Sequence, residues 1–253
     1  MIKDQKVALI GEEGNGKSSL LKAIYEPEKL QGYMKIKGEI YKDGEIIGYL
    51  PQSLDESILR MTTLEYLEKN IIRNDFDYPY FYRMLKEIDF PESRISPEIK
   101  IKNLPGGEKI KFQLVIEMMK KPTVLLLDEP SNDLDLKSVI WLEDFIKRLN
   151  IPIIFVSHDE TLLENCSNTI IHLEQLKRKS KPKYTISRMK YSEYLENRRK
   201  HILKQTQLAI KEKEEYDVKM EKYRQIYGKV QHELRKTNID TVGKNLQDEI
   251  HTL

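Results

Sequence analysis

Gly11-Glu12-Glu13-Gly14-Asn15-Gly16-Lys17-Ser18 sets two glycines, Gly11 and Gly16, with four residues between them, and follows the second with a lysine and a serine. Glycine lets a tight loop turn its backbone N–H groups inward, close to phosphate oxygens. A helix opening at Lys17 would aim its N-terminus at the same anion. Lys17 would supply a mobile positive charge to the terminal phosphates, and the Ser18 hydroxyl could ligate Mg²⁺, with Ser19 beside it. The spacing therefore reads as a nucleoside-triphosphate site.

A second candidate stands more than a hundred residues downstream. Val124-Leu125-Leu126-Leu127-Asp128-Glu129 is an apolar run that ends in two carboxylates. Asp128 would hold Mg²⁺ through water. Glu129 would face the attacking water, as general base or as the group that orients it. A pair of acids after a strand can also serve as a helix N-cap, and the upstream loop is what favours chemistry.

For these groups to meet, the chain must bring distant strands side by side. Lys6-Val7-Ala8-Leu9-Ile10 reads as a buried strand entering the glycine loop, with a helix over 17–25. Further strands are predicted over 45–50, 123–127, 151–156 and 169–173, with a helix over 138–149. Strand, helix and strand in this order imply a parallel sheet covered by helices. Between 62 and 121 the apolar spacing turns helical, and Pro79, Pro91, Pro97 and Pro105 divide it into short helices.

Composition changes after residue 173. Residues 174–253 carry 20 Lys/Arg against 12 Asp/Glu, a net +8; the residues before them carry 23 against 29, a net −6. An acidic body with a basic tail suggests an anionic partner for the tail, although a solvated helix of mixed charge gives the same count. Residues 177–183 read as a basic linker, and 192 to about 236 as one long charged helix, with a break predicted near Gly228. A turn over 237–243 and a second helix from Lys244 would complete a hairpin. No apolar run reaches the roughly 20 residues needed to cross a bilayer, so no membrane insertion is expected. The only cysteine, Cys166, excludes an internal disulfide and fits a cytoplasmic protein.

Three further segments narrow the class. Leu104-Pro105-Gly106-Gly107-Glu108, just ahead of the acidic strand, resembles the signature motif of ATP-binding cassettes. Gln52, after Tyr49-Leu50-Pro51, resembles the glutamine that touches Mg²⁺ and the attacking water. His158, in Val156-Ser157-His158-Asp159, resembles the switch histidine near the γ-phosphate. The order of motifs from Gly11 to His158 identifies the chain as resembling this family. Pro130-Ser131-Asn132-Asp133-Leu134-Asp135 and the segment 47–52 are similar to the ABC-F subfamily, and 190–195 to the start of its interdomain linker. The resemblance implies an α/β fold: a P-loop ATP-binding cassette over 1–173, with a helical subdomain at about 54–121. A basic linker and helical hairpin would follow over 174–253. It implies an ATPase that uses ATP and Mg²⁺ and acts on the ribosome as a translation or antibiotic-resistance factor. Glu129, His158 and Gln52 would be catalytic, with Ser18, Gln52 and Asp128 at the metal.

Three departures from the family pattern matter. Pro105 stands where the signature carries a serine, and proline has neither a hydroxyl nor an N–H. The upstream strands and the adenine-stacking aromatic residue expected before the glycine loop are not seen. The chain also carries one cassette where ABC-F proteins carry two, so it resembles half of such a protein, from a split or truncated gene or as a fragment. Each ATP in this family lies between one loop and another cassette's signature, so a second cassette is the implied partner, with ribosome and tRNA met by the hairpin. The alternatives are an ATP-binding subunit of a membrane transporter, or a nucleotide-binding remnant without turnover.

Overall fold

The computed structural model describes residues 4–30, 32, 37–71, 76–132, 134–174 and 183–236, with side chains up to 233 in the last segment. Six strands form one sheet: β1 (Lys6–Gly11), β2 (Ile47–Leu50), β3 (Val124–Asp128), β4 (Ile153–Val156), β5 (Thr169–Glu174) and β6 (Lys183–Ser187). The helices are α1 (Lys17–Tyr25), α2 (Glu56–Leu59), α3 (Thr63–Asn70), α4 (Tyr78–Ile88), α5 (Gly106–Met119), α6 (Leu136–Arg148), α7 (Glu160–Cys166) and α8 (Tyr191–Lys236). The strand order is β2-β3-β4-β1-β5-β6, parallel except for β6, which runs antiparallel to β5.

The sequence explains why the centre of the sheet is parallel. Val7, Ala8 and Leu9 of β1 and Leu125, Leu126 and Leu127 of β3 are buried, so both faces of these strands are covered. Phe112, Leu114 and Ile116 of α5 join Leu125 and Leu127 in the main core, while Leu126 packs with Leu9, Leu21 and Val156 in a second cluster. Each large apolar side chain so buried contributes about 1.5–3 kcal/mol. Lys6 is buried too, and its ammonium donates to the carbonyls of Leu149 and Ile151 at 2.6 and 2.8 Å, satisfying the chain where α6 ends.

Helix starts follow capping chemistry. Thr62 and Glu65 form a reciprocal capping box on α3, and Asp77, Asp135 and Asp159 accept backbone N–H groups at the starts of α4, α6 and α7. Pro79 does not break a helix as the sequence suggested; it lies in the first turn of α4, where a missing N–H costs nothing.

Two compact units divide the chain, 1–194 and 195–253. The boundary expected at 173/174 is corrected: the first unit gains β6, with Ile186 opposite Ile171, and the first turn of α8. Alternation in Lys183-Tyr184-Thr185-Ile186 was obscured by the flanking basic residues. In that turn Tyr194 is buried, and its hydroxyl lies 2.6 Å from His172 Nδ1. In the second unit α8 runs on to Lys236, 46 residues in all and about 69 Å at 1.5 Å per residue. It passes through Gly228 without the predicted break. Most of the linker over 177–183, the turn over 237–243 and the second helix from Lys244 lie outside the described residues. Among the described residues no helix is long and apolar enough to cross a membrane.

Candidate functional site

The glycine loop leaves β1 at Gly11 and enters α1 through Gly16. Gly14 and Gly16 have φ of 79° and 82°, left-handed values that suit glycine. Gly11 is fixed by crowding as well, because a Cβ there would lie 2.5 Å from the carbonyl oxygen of Leu173. Asn15 ties the loop to the same strand, donating from Nδ2 to that carbonyl at 3.0 Å. Glu12 and Glu13 are exposed at the tip.

Lys17 is buried, and its ammonium folds back to donate to the carbonyls of Gly11 and Glu12 at 2.8 and 3.1 Å. The cation is thereby held over the mouth of the loop. Ser18 Oγ donates to Asp128 Oδ1 at 2.8 Å across 110 residues of sequence. The parallel order that sets β1 beside β4, and β4 beside β3, produces that meeting. Asp128 is 1% exposed, so its charge depends on these donors.

Glu129 follows with φ of 51°, which turns its side chain away from the regular strand course. One carboxylate oxygen, Oε2, accepts the backbone N–H of His158 at 3.3 Å, and the other, Oε1, lies 3.2 Å from His158 Nε2. Burial raises the pKa of Glu129, while His158 and Lys17 pull it back. The His158 ring is 57% exposed against 5% for the Glu129 side chain, so the pair reaches from the interior to the surface. Ser157, one residue before, is buried with its Oγ 3.2 Å from Ser131 Oγ, joining the loop after Glu129 to the end of β4.

The structure thus assembles Gly11, Gly14, Gly16, Lys17, Ser18, Asp128, Glu129 and His158. Gln52 is exposed two residues past the Leu50–Leu127 register pair, at the Asp128 end of the sheet, without a hydrogen bond to Ser18 or Asp128 among the described residues. The segment 104–108 opens α5 instead. Leu104 is buried, Pro105 is the N-cap residue and makes no side-chain hydrogen bond, and Gly106 begins the helix. Gly107 packs so closely on Ser138 that an added Cβ would lie 3.0 Å from Ser138 Cβ and nearer still to Oγ. Glu108 is held by the Arg94 guanidinium, Nε to Oε2 at 2.9 Å and Nη2 to Oε1 at 3.2 Å. Asp133 lies outside the described residues.

Sequence reasoning missed Tyr49, whose hydroxyl donates to Asp128 Oδ2 at 3.3 Å. Burial, then the nearby Asp128 carboxylate, raises the pKa of the phenol, so it stays protonated and donates. Tyr49 pairs with Leu126 across the sheet, and Asp128 is two residues further on the same face. Only the register reveals this. The residues present also fit a hard cation. Ser18 and Asp128 offer two adjacent oxygen donors, and among the described residues no cluster of three or more His, Cys, Asp or Glu forms a site of its own. This suits Mg²⁺, which is usually bound by one or two protein oxygens together with phosphates and water.

The chain is 34% identical over 187 residues to the ATP-binding protein Uup of Buchnera aphidicola, covering 71% of this chain and 30% of that protein. It is 34% identical over 179 residues to elongation factor 3 of Pneumocystis carinii, covering 69% and 16%. It therefore spans about a third or less of the length of these relatives. Among solved structures, a metal-chelate type ABC transporter in an inward-facing conformation matches with a TM-score of 0.55 at 19% identity, over 74% of each chain. The archaeal ribosome recycling factor aABCE1, in complex with the ribosomal stalk protein aP1, matches with a TM-score of 0.52 at 20% identity, over 72% of this chain and 34% of that one. These two likenesses concern the fold alone. The family model described as ABC transporter matches residues 1–132, more than half of the sequence, and the chain belongs to the ATP-binding cassette family, with its likeness to the ABC-F members.

Proposed function

We propose that this chain is a cytoplasmic ABC-F ATPase that binds ATP with Mg²⁺, hydrolyses it when paired with a second cassette, and acts on the ribosome without membrane insertion. The observation that carries the ATPase reading is the joined set Ser18–Asp128 and Glu129–His158, at 2.8 and 3.2 Å, beside the buried Lys17.

The glycine loop and the N-terminus of α1 bind the phosphates, and Lys17 turns from its two carbonyls toward the terminal ones. Ser18 and Asp128 hold the cation, which when bound neutralises charge on the phosphate oxygens. Glu129 takes a proton from water as the water oxygen attacks the γ-phosphorus and the bond to the ADP oxygen breaks. His158 keeps Glu129 oriented. Gln52 closes the site from the end of β2. The segment 104–108 serves the partner cassette's nucleotide, and a second cassette returns the service.

Glu129→Gln tests the assignment. The amide cannot accept the proton, so nucleotide binding stays and turnover falls at least about a hundredfold, as for loss of a general base. Parental turnover by the variant, assayed with a second cassette supplied, would refute it.

The ribosomal reading is supported by the 46-residue charged helix and by likeness to an elongation factor. A role in translation or in antibiotic resistance follows from it. A transporter subunit has no use for such an extension, and co-purification with membranes rather than ribosomes would favour it. One observation favours a remnant without turnover: Pro105, which offers the partner site neither a hydroxyl nor an N–H.

A further inference from the structure

Asp128 is gripped from two sides. Its Oδ1 accepts from the Ser18 hydroxyl at 2.8 Å and its Oδ2 from the Tyr49 phenol at 3.3 Å. The backbone N–H of Tyr49 in turn donates to Glu117 Oε2 at 3.1 Å, on the helix that begins at the signature-like segment. Glu117 is buried and held by Lys120 at 2.6 Å. The Tyr49 ring rests against Tyr25, centroids 4.9 Å apart. Tyr49 is thus fixed at its ring, its amide and its hydroxyl.

A lone hydroxyl on one oxygen leaves a carboxylate free to rotate about its last torsion, which is broad and two-fold. A second donor on the other oxygen removes that freedom. When Ser18 turns a lone pair to a cation, its proton no longer constrains Asp128 in the same way. The phenol, which has no role at the phosphates, remains. We propose that Tyr49 is a positioning residue that orients Asp128 for the divalent cation and ties that orientation to α5. The inference rests on the reading of Ser18 and Asp128 as the metal site. At 3.3 Å the bond is long for an O–H donor, so its loss falls at the low end of what an outer partner of a metal ligand costs, about tenfold in metal affinity.

The test uses the full chain as parent, Tyr49→Phe and Tyr25→Phe. Mn²⁺ binding in the presence of a non-hydrolysable ATP analogue is followed by electron paramagnetic resonance. Affinity for the same analogue in EDTA is measured separately, and thermal melts verify folding; phenylalanine keeps the ring packing at either position. The proposal expects Tyr49→Phe to weaken Mn²⁺ about tenfold while leaving the EDTA affinity unchanged, and Tyr25→Phe to alter neither. Parental Mn²⁺ affinity in Tyr49→Phe overturns it, as does an equal loss in both measurements, which would make Tyr49 a packing residue. A parent that binds the analogue in EDTA but takes up no Mn²⁺ would overturn the metal-site reading itself, and the inference with it.

Discussion

Ser18 and Asp128 share a 2.8 Å hydrogen bond although one opens α1 and the other ends β3. The bond joins the phosphate-binding loop to the acidic strand through protein groups alone. Because Asp128 is almost wholly buried, an unpartnered carboxylate there would be costly, and the Ser18 hydroxyl offsets that cost. The fold itself therefore brings the two halves of the site together.

Lys17 makes the first prediction. Its ammonium is parked on the carbonyls of Gly11 and Glu12, within reach of the loop it serves. Lys17→Ala removes the main positive charge offered to the phosphates. ATP affinity measured by calorimetry should fall at least about tenfold, as for loss of a charge-assisted hydrogen bond. Equal affinity in the two proteins would sink the phosphate-loop assignment.

The loop glycines are not equivalent. At Gly11 a Cβ would strike the Leu173 carbonyl, whereas at Gly14 nothing lies within 4 Å and only the positive φ is unfavourable. Gly14→Ala should cost about 1–2 kcal/mol, the left-handed penalty. Gly11→Ala should cost more, because β1 and β5 must also move apart. Urea unfolding of both variants checks the order, and a smaller loss at Gly11 would contradict the packing described.

Much of this was legible in the sequence because the chemistry is local. The spacing from Gly11 to Ser18, the apolar run into Asp128-Glu129 and the position of His158 each lie within a few residues. Strand-helix-strand order then implied the parallel sheet. What was not legible depends on register or on long-range contact. Tyr49 reaches Asp128 only because β2 pairs with β3 as it does. Arg94 meets Glu108 through the turns before α5. Strand β6 was hidden since its alternation is short, edge-placed and flanked by lysines and arginines.

Pro105 caps α5 without a side-chain hydrogen bond, so a serine there would add a hydroxyl without removing an existing contact. Pro105→Ser should raise turnover only at the site that this segment completes in a partner. This chain's own nucleotide affinity should stay within about twofold, as expected for an exposed change remote from the ligand. A large shift in the affinity of the isolated chain would show that the segment touches its own nucleotide instead.

The last prediction concerns α8. Beyond residue 194 nearly every described residue is exposed, including Leu203, Leu208, Tyr216 and Val218, so the helix is not part of a core of its own. Arg198, Arg199 and Lys200 lie near its start; Arg235 and Lys236, at its end, have side chains outside the described residues. The competing reading is that these charges only solvate the helix or pair along it. Lys200 does pair with Glu196 at 2.7 Å, and Arg224 with Glu221 at 4.0 Å. Such exposed pairs are worth only about 0.3–0.5 kcal/mol, little against a phosphate contact that also releases counterions. If these residues meet ribosomal RNA, changing all five to Ala should weaken ribosome co-sedimentation and flatten its salt dependence. The logarithmic slope should shrink by up to about 0.9 for each phosphate no longer neutralised. Arginines should matter more than lysines, because the guanidinium can hold a phosphate through two hydrogen bonds. The assay should run at several salt concentrations with a second cassette supplied. Equal binding and an equal slope for parent and variant would leave α8 as a spacer whose charges serve only solubility.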